Sequence, residues 1–428
     1  MLREENELLT KTGPGSPMGN LIREYWIPAL RSDELTVDAD PIRLRLLGEN
    51  LVAFRATNGQ VGILDHRCPH RCASLFFGRN EDDGLRCVYH GWKFDVNGQC
   101  VDMPSEAQDS DFKNKVSARA YPCRERNGLV WTYMGPRATP PHLPSLEASM
   151  LSEEERVVQP VMRECNWLQA MEGDIDTSHF GFLHMGSAKS EDFVEGTTAK
   201  YFLADRAPRY EVVTSDSGTM YGAYRPAEED SYYWRVAQFL FPFWTMPPAG
   251  KIEGHVIVRA WVPIDDEHTM FWNLSKKRRA GSGPVPSSSS GRPATGLGLG
   301  FEFLPNTPDW LGRWRLAANG SNDYKIDRDV QKDGSYSGIQ GVHLQDQAIT
   351  ESMGVVVDRT HERLGSSDQM IIQTRRRLTE AATALRDHGT VPTGVDNPEV
   401  YEKVRGGEMI LSRDRDWNEA YEEKRNAF

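Results

Sequence analysis

The sequence predicts an α+β fold in which a small all-β domain precedes a larger domain with an antiparallel sheet flanked by helices. Between about residues 41 and 135, short apolar segments alternate with turn-forming dipeptides, as they do in sheets of short strands. A proline-rich segment at 136–146 interrupts this pattern, and a helical segment, more strands and a helix-rich C-terminal region follow. The predicted units are an N-terminal arm that packs on the larger domain (1–40), the all-β domain (41–140) and the larger domain (141–428).

The strands of the small domain are predicted from four apolar segments. Asn-Gly and Asp-Gly pairs at 58–59, 83–84 and 97–98 indicate tight turns between strands. Upstream, the arm is expected to be extended apart from a short amphipathic stretch, GNLIREYWIPAL, that ends at Pro28. The four strand segments are IRLRLLGENLVAFRA, QVGILDH, LRCVYHGWKFDVNGQCV and GLVWTYMG.

The larger domain is predicted to begin with a helical segment, ECNWLQAMEGDIDTSHFGFLH. It ends in helices such as LTEAATALRDHG, which Gly389 stops. Segment 276–300 is basic and then rich in Gly, Ser and Pro, so we expect a flexible loop there. The strands of the antiparallel sheet are predicted at YFLADRAPRYEVV, GTMYGAYR, YYWRVAQFLF and GHVIVRAWVPI.

The bulk composition excludes several classes of protein. With 39% hydrophobic and 26% charged residues the chain is an ordinary globular one, and its net charge of −12 argues against a nucleic-acid binder. No apolar run approaches the roughly 20 residues that cross a bilayer. The N-terminus, MLREENELLTKTG, lacks the apolar core of a secretory signal, and six cysteines do not suggest a disulfide scaffold. We therefore expect a cytoplasmic protein that does not bind membranes.

Two short cysteine–histidine motifs predict a metal site in the small domain. Cys68-Pro-His70 is followed after sixteen residues by Cys87-Val-Tyr-His90. Two thiolates and two imidazoles can hold a [2Fe–2S] cluster, with the imidazoles on one of the two irons. The alternative is a zinc site formed by Cys68, Cys72, Cys87 and His90. That alternative leaves His70 without a role, so we favour the iron–sulfur cluster.

A second group of polar residues lies in the helical segment of the larger domain. Positions 166, 169, 172, 176 and 179 share one face of a regular helix. His179 and His184 would stand roughly 140° apart on such a helix, too wide for neighbouring ligands of one metal. We therefore expect the helix to end or bulge between them, at Gly181. Asp176 precedes His179 by one turn and is expected to accept a hydrogen bond from its ring.

Two histidines and one carboxylate form the facial triad of dioxygen-activating non-haem Fe(II). The two histidines of the helical segment therefore predict a mononuclear iron whose third ligand comes from farther along the chain. Each candidate aspartate could equally be an ordinary surface charge, and spacing does not choose among Asp346, Asp358 and Asp368.

Three stretches of the sequence resemble those of a known family. CPHRCASLFFGRNEDDGLRCVYHGWKFD looks like the cluster-binding stretch of Rieske non-haem iron oxygenases, the α subunits of ring-hydroxylating dioxygenases, and Trp92 also matches. ENELLTKTGPGSPMGNLIREYWIPA and QDQAITESMGVVVDRTHERLGSSD resemble the phthalate dioxygenase-like branch. The resemblance covers nearly the whole chain.

The resemblance implies a complete set of iron ligands and an electron route. It selects Asp346, on a C-terminal helix, as the third ligand beside His179 and His184. It implies that Asp176 is catalytic, bridging His179 to the Rieske residue His90 of a neighbouring subunit. Asn166 and Glu172 are expected to line the same route. The implied cofactors are a Rieske [2Fe–2S] cluster and a mononuclear Fe(II), with O2 as co-substrate.

The resemblance also implies partners and a reaction. Members of the branch are homo-oligomers of α3 trimers, single or stacked, and receive electrons from a flavin and iron–sulfur NAD(P)H-dependent reductase. The expected reaction is hydroxylation of a small aromatic carboxylate such as a phthalate or benzoate. Alternatives are a monooxygenase that carries out O-demethylation or methyl hydroxylation, a Rieske electron carrier without oxygenase activity, and a zinc-stabilised interaction module.

The substrate carboxylate is expected to bind a guanidinium group in an apolar pocket. Arg209 and Arg235 lie in the predicted sheet and are the candidates. The pocket walls are predicted at Phe239, Phe241, Phe243 and Trp244, which are equally consistent with an ordinary core.

Overall fold

The computed structural model describes residues 1–188, 198–277 and 301–427. The predicted flexible loop at 276–300 lies outside the described residues from 278 onward. The helices of the described chain are α1 (Arg3–Thr10), α2 (Pro17–Arg23), α3 (Trp167–Asp174), α4 (Ala199–Ala204), α5 (Arg328–Asp333), α6 (Val342–Ser352), α7 (Gln369–His388) and α8 (Trp417–Asn426).

The strands of the described chain lie in two groups, before and after residue 140. The first group is β1 (Trp26–Arg31), β2 (Ile42–Leu46), β3 (Glu49–Arg55), β4 (Val61–Asp65), β5 (Arg79–Glu81), β6 (Gly84–Arg86), β7 (Lys93–Phe94), β8 (Cys100–Asp102), β9 (Ala120–Tyr121), β10 (Cys123–Arg126) and β11 (Leu129–Tyr133). The second group is β12 (Arg156–Arg163), β13 (Arg209–Thr214), β14 (Gly218–Pro226), β15 (Ser231–Leu240), β16 (Trp244–Met246), β17 (Ile257–Pro263), β18 (Thr269–Lys276) and β19 (Gly407–Ser412).

The first group forms three small antiparallel sheets. Their strand orders are β2-β3-β4-β9, β5-β6-β7-β8 and β1-β11-β10. The loop that carries Cys68 follows β4, and the loop that carries Cys87 joins β6 to β7. The prediction of a small all-β domain is confirmed, and both cysteine–histidine motifs lie on its loops.

The second group forms one large antiparallel sheet in the order β12-β18-β17-β16-β15-β14-β13, with β19 paired to β15. β19 runs beside the first part of β15 and β16 beside its end, so both border the same edge without overlap. Helix α7 packs on β13 and β14, while α3 packs on β16, β17 and α6. The predicted antiparallel sheet flanked by helices is therefore confirmed, and α3 brings the second predicted site against α6.

The N-terminal region is more regular than the extended arm predicted from the sequence. It forms α1 and α2, which pack against α7, and the strand β1, which pairs with β11. Pro28 lies inside β1 and does not end the segment. The register with β11 shifts between Pro28 and Leu30, and β1 is an edge strand, where a proline without an N–H is tolerated.

Three elements of the larger domain differ from the prediction. Helix α3 ends at Asp174, before both histidines, because Asp176 Oδ1 accepts the N–H of Ser178 at 2.6 Å and so offers the backbone a local alternative to the helix. His179 begins a short 3-10 turn. The start of YFLADRAPRYEVV is α4, and β19 lies in the region predicted to be helical.

The C-terminal stop of the long helix agrees with the prediction. α7 ends at His388, and Gly389 follows with φ of 66°, a left-handed conformation that suits glycine. None of the described helices combines the length and apolar character required to span a bilayer.

Candidate metal centres

The two cysteine–histidine loops share one backbone hydrogen-bonding pattern. In each, the cysteine N–H donates to the carbonyl five residues later, and the N–H four residues later donates to the cysteine carbonyl, at 2.8–2.9 Å. The N–H to carbonyl pairs are Cys68 to Ala73 and Cys72 to Cys68 in the first loop, and Cys87 to Trp92 and Gly91 to Cys87 in the second. The two motifs therefore present their side chains from matching turns.

Cys72 occupies the position in the first loop that Gly91 occupies in the second. Both residues have positive φ, 59° at Cys72 and 77° at Gly91. Cys72 is exposed, whereas Cys68 and Cys87 are buried. Cys72 thus lies at a turn position that requires a left-handed backbone, apart from the buried thiols.

The four predicted cluster ligands are arranged as two buried thiols and two outer imidazoles. Cys68 and Cys87 are neighbours. Burial, and to a lesser extent Cys87, raise the pKa of Cys68 to about 12, although the backbone N–H of His70 acts in the opposite direction. The rings of His70 and His90 lie 4.4 Å apart between centroids. His70 also stacks on Trp92 at 4.3 Å.

This arrangement fits a two-iron cluster better than a single ion. A single tetrahedral zinc requires its donor atoms to converge. Among the residues that the structure describes, three His, Cys, Asp or Glu donors lie within 4.8 Å of one another only at His179, His184 and Asp346. The paired thiols and paired imidazoles instead suit thiolates on an inner iron and imidazoles on an outer one.

His179, His184 and Asp346 form a compact triangle of donor atoms. His179 Nε2 lies 3.1 Å from His184 Nε2, and Asp346 Oδ1 lies 3.4 Å and 3.0 Å from these two atoms. Ligand atoms at roughly 2.1 Å from one ion and at right angles to each other stand about 3 Å apart. The triangle therefore has the size of one face of an octahedron, as a facial triad requires.

Each histidine of the triangle is held by a different acceptor at its other nitrogen. His179 Nδ1 lies 3.3 Å from Asp176 Oδ2. His184 Nδ1 lies 2.6 Å from Oε1 of Gln345, which is fully buried. Both rings are thereby turned so that Nε2 faces the metal position.

The close approach of these groups shifts the pKa values of Asp346 and His179. Burial opposes ionisation of Asp346, but His184 and His179 hold its pKa well below the ordinary value. Burial likewise lowers the pKa of His179, but the carboxylates of Asp176 and Asp346 outweigh it and raise that pKa to about 10. The carboxylates around the two rings therefore favour a positive charge at this position, which a metal ion would supply.

The side chains of Asn166 and Glu172, which are expected to line the electron route, have partners other than the residues of the triangle. Asn166 caps α3 by accepting the N–H of Leu168 and donates to the carbonyls of Thr10 and Asp266. Glu172 forms a buried ion pair with Arg375 at 2.5 Å and another with Arg359 at 3.0 Å. Because α3 ends before His179, its polar face does not continue to the triangle.

The two candidate arginines have different environments. Arg209 is exposed at the start of the edge strand β13, with its guanidinium 6.0 Å from the ring of Tyr224. Arg235 is buried, 4.6 Å from the rings of both Phe180 and Phe202. Phe180 in turn lies 5.3 Å from the ring of His184. Arg235 is thus linked to His184 through the Phe180 ring, whereas the Arg209 side chain lies at the surface.

The predicted wall residues Phe239, Phe241, Phe243 and Trp244 are part of the main hydrophobic core. A separate apolar cluster lies beside His184. It consists of Met185, Ala188, Tyr201, Phe202 and Tyr233, with Phe180 packed against it.

Two polar residues were missed from the sequence, one close to Arg235 and one bonded to His184. Arg225 is fully buried, 4.7 Å from the Phe202 ring, and its Nη1 and Nη2 have no partner among the described atoms. Arg225, on β14, pairs with Tyr233 of β15, which is two residues before Arg235. This register could have placed the two arginines close together. Gln345 directly precedes Asp346, and this adjacency is its one sequence signal.

The fold and the two sites together define a class of protein. A small β domain with two cysteine–histidine loops is joined in one chain to a sheet domain with a histidine–histidine–aspartate triangle. This combination is that of an oxygenase in which an iron–sulfur cluster serves a mononuclear, dioxygen-activating iron.

Comparison with known proteins agrees with this class. Residues 25–122 match the family described as Rieske [2Fe-2S] domain, and residues 132–427 match LigXa C-terminal domain like. The chain is 49% identical over 99% of its length to the 3-chlorobenzoate-3,4-dioxygenase oxygenase subunit of Comamonas testosteroni, covering 98% of that protein. It is 36% identical over 97% of its length to the phthalate 4,5-dioxygenase oxygenase subunit of Pseudomonas putida, covering 94% of it.

Solved structures share the fold at low sequence identity. Dicamba monooxygenase bound to dicamba aligns with a TM-score of 0.57 at 17% identity, over 85% of this chain and 98% of that one. The chain belongs to the Rieske non-haem iron oxygenase α subunits, in the phthalate dioxygenase-like branch. It is an oxidoreductase, the oxygenase component of a multicomponent system, and its cofactors are a Rieske [2Fe–2S] cluster and a mononuclear iron that uses O2.

Proposed function

We propose that this oxygenase component hydroxylates an aromatic carboxylate, such as a benzoate or phthalate, with electrons from a flavin and iron–sulfur NAD(P)H-dependent reductase. The iron ligands are His179, His184 and Asp346, and the cluster ligands are Cys68, His70, Cys87 and His90. The main observation behind this proposal is the donor triangle, with sides of 3.0–3.4 Å, together with a buried pair of arginines.

The buried arginines support a carboxylate as the substrate anchor. Arg225 and Arg235 face the same Phe202 ring at 4.7 and 4.6 Å. Arg235 donates one N–H to the Pro248 carbonyl, while its Nε and Nη1, like both terminal nitrogens of Arg225, have no partner among the described atoms. Two buried guanidinium groups without a carboxylate are costly, and an anionic ligand relieves that cost.

Chemical roles follow from these positions. When bound, the cluster supplies electrons singly and the mononuclear iron activates dioxygen. The arginines orient the acid, and the apolar cluster beside His184 holds the ring and excludes water. Asp176 holds the Nδ1–H of His179 and, in this proposal, joins that ring to His90 of a second copy. The proposed anchor does not include Arg209, which the sequence also suggested, because its side chain is exposed.

The features of the surface support a homo-oligomer, an α3 trimer or two stacked trimers. Asp176 and His179 retain 23% and 24% of their side-chain exposure, so a partner can reach them.

Exposed apolar side chains lie near both His90 and His179. Around His90 they are Val88, Tyr89 and Phe112. Phe182 and Tyr336, also exposed and 6.4 Å apart, lie on the His179 side. Apolar groups at both ends of the route suit an interface between copies.

A second reaction outcome is monooxygenation, including O-demethylation or methyl hydroxylation of an aromatic acid. It is favoured by the 5,5'-dehydrodivanillate O-demethylase oxygenase subunit of a Sphingobium strain, which is 32% identical over 92% of this chain. The same ligand set serves both outcomes, so the products separate them. The domain division at 1–40, 41–140 and 141–428 and the cytoplasmic location remain part of this proposal.

The proposal is tested on the purified protein with a surrogate reductase. We expect about three irons per chain, a reduced-Rieske EPR signal, and NADH oxidation that benzoates or phthalates stimulate with formation of a hydroxylated or demethylated product seen by mass spectrometry. Two irons per chain with no product would favour an electron carrier. A colourless protein that holds zinc would contradict the proposal altogether.

A further inference from the structure

We infer that Gln345 is a positioning residue that selects the tautomer and ring orientation of His184 for iron binding. The inference rests on the proposed iron site at His179, His184 and Asp346. It assigns a role to a neutral amide that neither the metal-ligand pattern nor the comparisons single out.

The hydrogen bonds around Gln345 leave one arrangement. Its Nε2 donates to the Ile339 carbonyl at 2.8 Å, so its Oε1 faces His184 Nδ1 at 2.6 Å. An amide oxygen only accepts, and therefore Nδ1 of His184 must carry the proton. The lone pair of His184 then lies on Nε2, the atom 3.0 Å from Asp346 Oδ1 and 3.1 Å from His179 Nε2.

Burial makes this bond consequential. Gln345 is 0% exposed and His184 is 3% exposed. Without the amide oxygen, the Nδ1–H of His184 would lose its partner in a place that water does not reach, and the ring would be free to rotate or to change tautomer. His179 differs, because its acceptor Asp176 keeps part of its surface in solvent.

The neutrality of Gln345 matches the charge of the site. The two positive charges of Fe(II) are balanced by the single negative charges of Asp346 and Asp176. A carboxylate in place of Gln345 would add an unbalanced buried charge beside Asp346 and would also face the Ile339 carbonyl. An amide therefore orients His184 without changing the net charge of the centre.

The backbone of α6 also links Gln345, which accepts the hydrogen bond of His184, to the proposed ligand Asp346. Gln345 and Asp346 are adjacent in α6, and the Gln345 N–H donates to the Gly341 carbonyl at 3.0 Å. Farther along the helix, Thr350 accepts from the buried Arg163 at 3.2 Å and donates to the Asp346 carbonyl at 2.8 Å. One helix thus sets Asp346 and the partner of His184 in a fixed register.

The test uses the full-length protein with its cluster intact and Co(II) in the mononuclear site. Gln345→Met keeps the side-chain length without the acceptor, Gln345→Leu is a second variant, and Gln347→Met removes another buried amide of α6 as the matched control. We expect the Gln345 variants to bind Co(II) and Fe(II) about 10–100-fold more weakly, as is typical for loss of such a partner. The reduced-Rieske EPR signal and the affinity of Gln347→Met should match wild type.

A spectroscopic readout separates this role from a general loss of packing. In the Co(II) protein, hyperfine-shifted ¹H NMR should show two exchangeable ring N–H signals, with the His184 signal protected from solvent exchange. The Gln345 variants should lose that protection while the His179 signal remains. Wild-type affinity in either variant, or an unprotected His184 signal in the wild type itself, would overturn the inference. If His184→Ala retains Co(II), the proposed iron site fails instead.

Discussion

Asp176 Oδ2 lies 3.3 Å from Nδ1 of His179, and both side chains remain partly open to solvent. The carboxylate therefore contacts a predicted iron ligand on one side and is available to another molecule on the other. A bridge between an inner ligand and a partner subunit requires this combination.

Replacing Asp176 by Asn tests the bridge. The amide preserves size but removes the charge, so we expect cluster-to-iron electron transfer to slow by about 10–100-fold or more. Stopped-flow reoxidation of the reduced cluster, with substrate and O2 present, measures the rate. Iron content should stay near that of wild type. Undiminished turnover with both iron centres loaded would show that electrons take another path.

Asp346 and Asp358 can be compared as the third iron ligand. Asp346→Ala should lose the mononuclear iron and keep the cluster, because it removes one corner of the donor triangle. Asp358 is exposed and accepts the N–H of Thr360, a role that Asn can also fill, so Asp358→Asn should keep the full iron content. Metal analysis together with EPR gives the answer, and the reverse pattern would move the ligand to Asp358.

Arg235 and Arg225 should matter for aromatic acids, and Arg209 should not. Replacing either buried arginine by Gln removes a charged hydrogen bond worth about 1.5–3 kcal/mol, or roughly 10–100-fold in apparent affinity. Steady-state NADH oxidation coupled to product formation reports the KM. Arg209→Gln is the control, since its guanidinium is exposed on an edge strand. If the KM values of the Arg235 and Arg225 variants equalled those of wild type and of Arg209→Gln, the carboxylate anchor would be removed from the proposal.

Glu172 is expected to stabilise the fold without serving electron transfer. Glu172→Gln leaves Arg359 and Arg375 buried with less compensation, so we expect a loss of about 3–5 kcal/mol in the free energy of unfolding. Glu380→Gln, which breaks an exposed pair with Arg376, should cost about 0.5 kcal/mol or less. Urea unfolding measures both. A slower electron transfer with unchanged stability would restore Glu172 to the route.

The Glu172 network should also give an acid dependence. Burial opposes its ionisation, but Arg359 and Arg375 hold the pKa of Glu172 below its ordinary value of 4.5. The depressed pKa contributes stability that is present above pH 4.5 and is lost as the pH falls through the folded-state pKa. The stability difference between wild type and Glu172→Gln should therefore narrow on acidification below that value. A constant difference from pH 6 to pH 3 would contradict this account.

Cys72→Gly should leave the cluster unchanged. The backbone at Cys72 is left-handed, with φ of 59°, a conformation that costs an ordinary L-residue roughly 1–2 kcal/mol and glycine little. The reduced-Rieske EPR signal should match wild type, whereas Cys87→Ser should abolish it. Loss of the signal in Cys72→Gly would show that this thiol is a ligand.

Several features could be predicted from the sequence because they depend on neighbouring residues. The turns of the β domain, the glycine that ends α7 and the two cysteine–histidine loops are each encoded within a few positions. Pro28 and the end of α3 could not be predicted in this way. The strand at Pro28 exists because β11 pairs with it, although a proline usually ends a helix-like stretch. α3 stops because Asp176 bonds to Ser178, which competes with helical periodicity.

Local spacing was enough to pick out the paired cysteines and histidines of the β domain. For His179 and His184 it suggested a shared metal only on the condition that the helix ends or bulges before His184. The roles of Asn166, Glu172, Arg209, Arg225 and Gln345 depended on three-dimensional packing. Glu172 meets Arg375 across 203 positions, and His184 meets Gln345 across 161. Burial and partners at such separations leave no periodic trace in the sequence, so a capping residue, an internal ion pair and a ligand-orienting amide look alike until the chain folds.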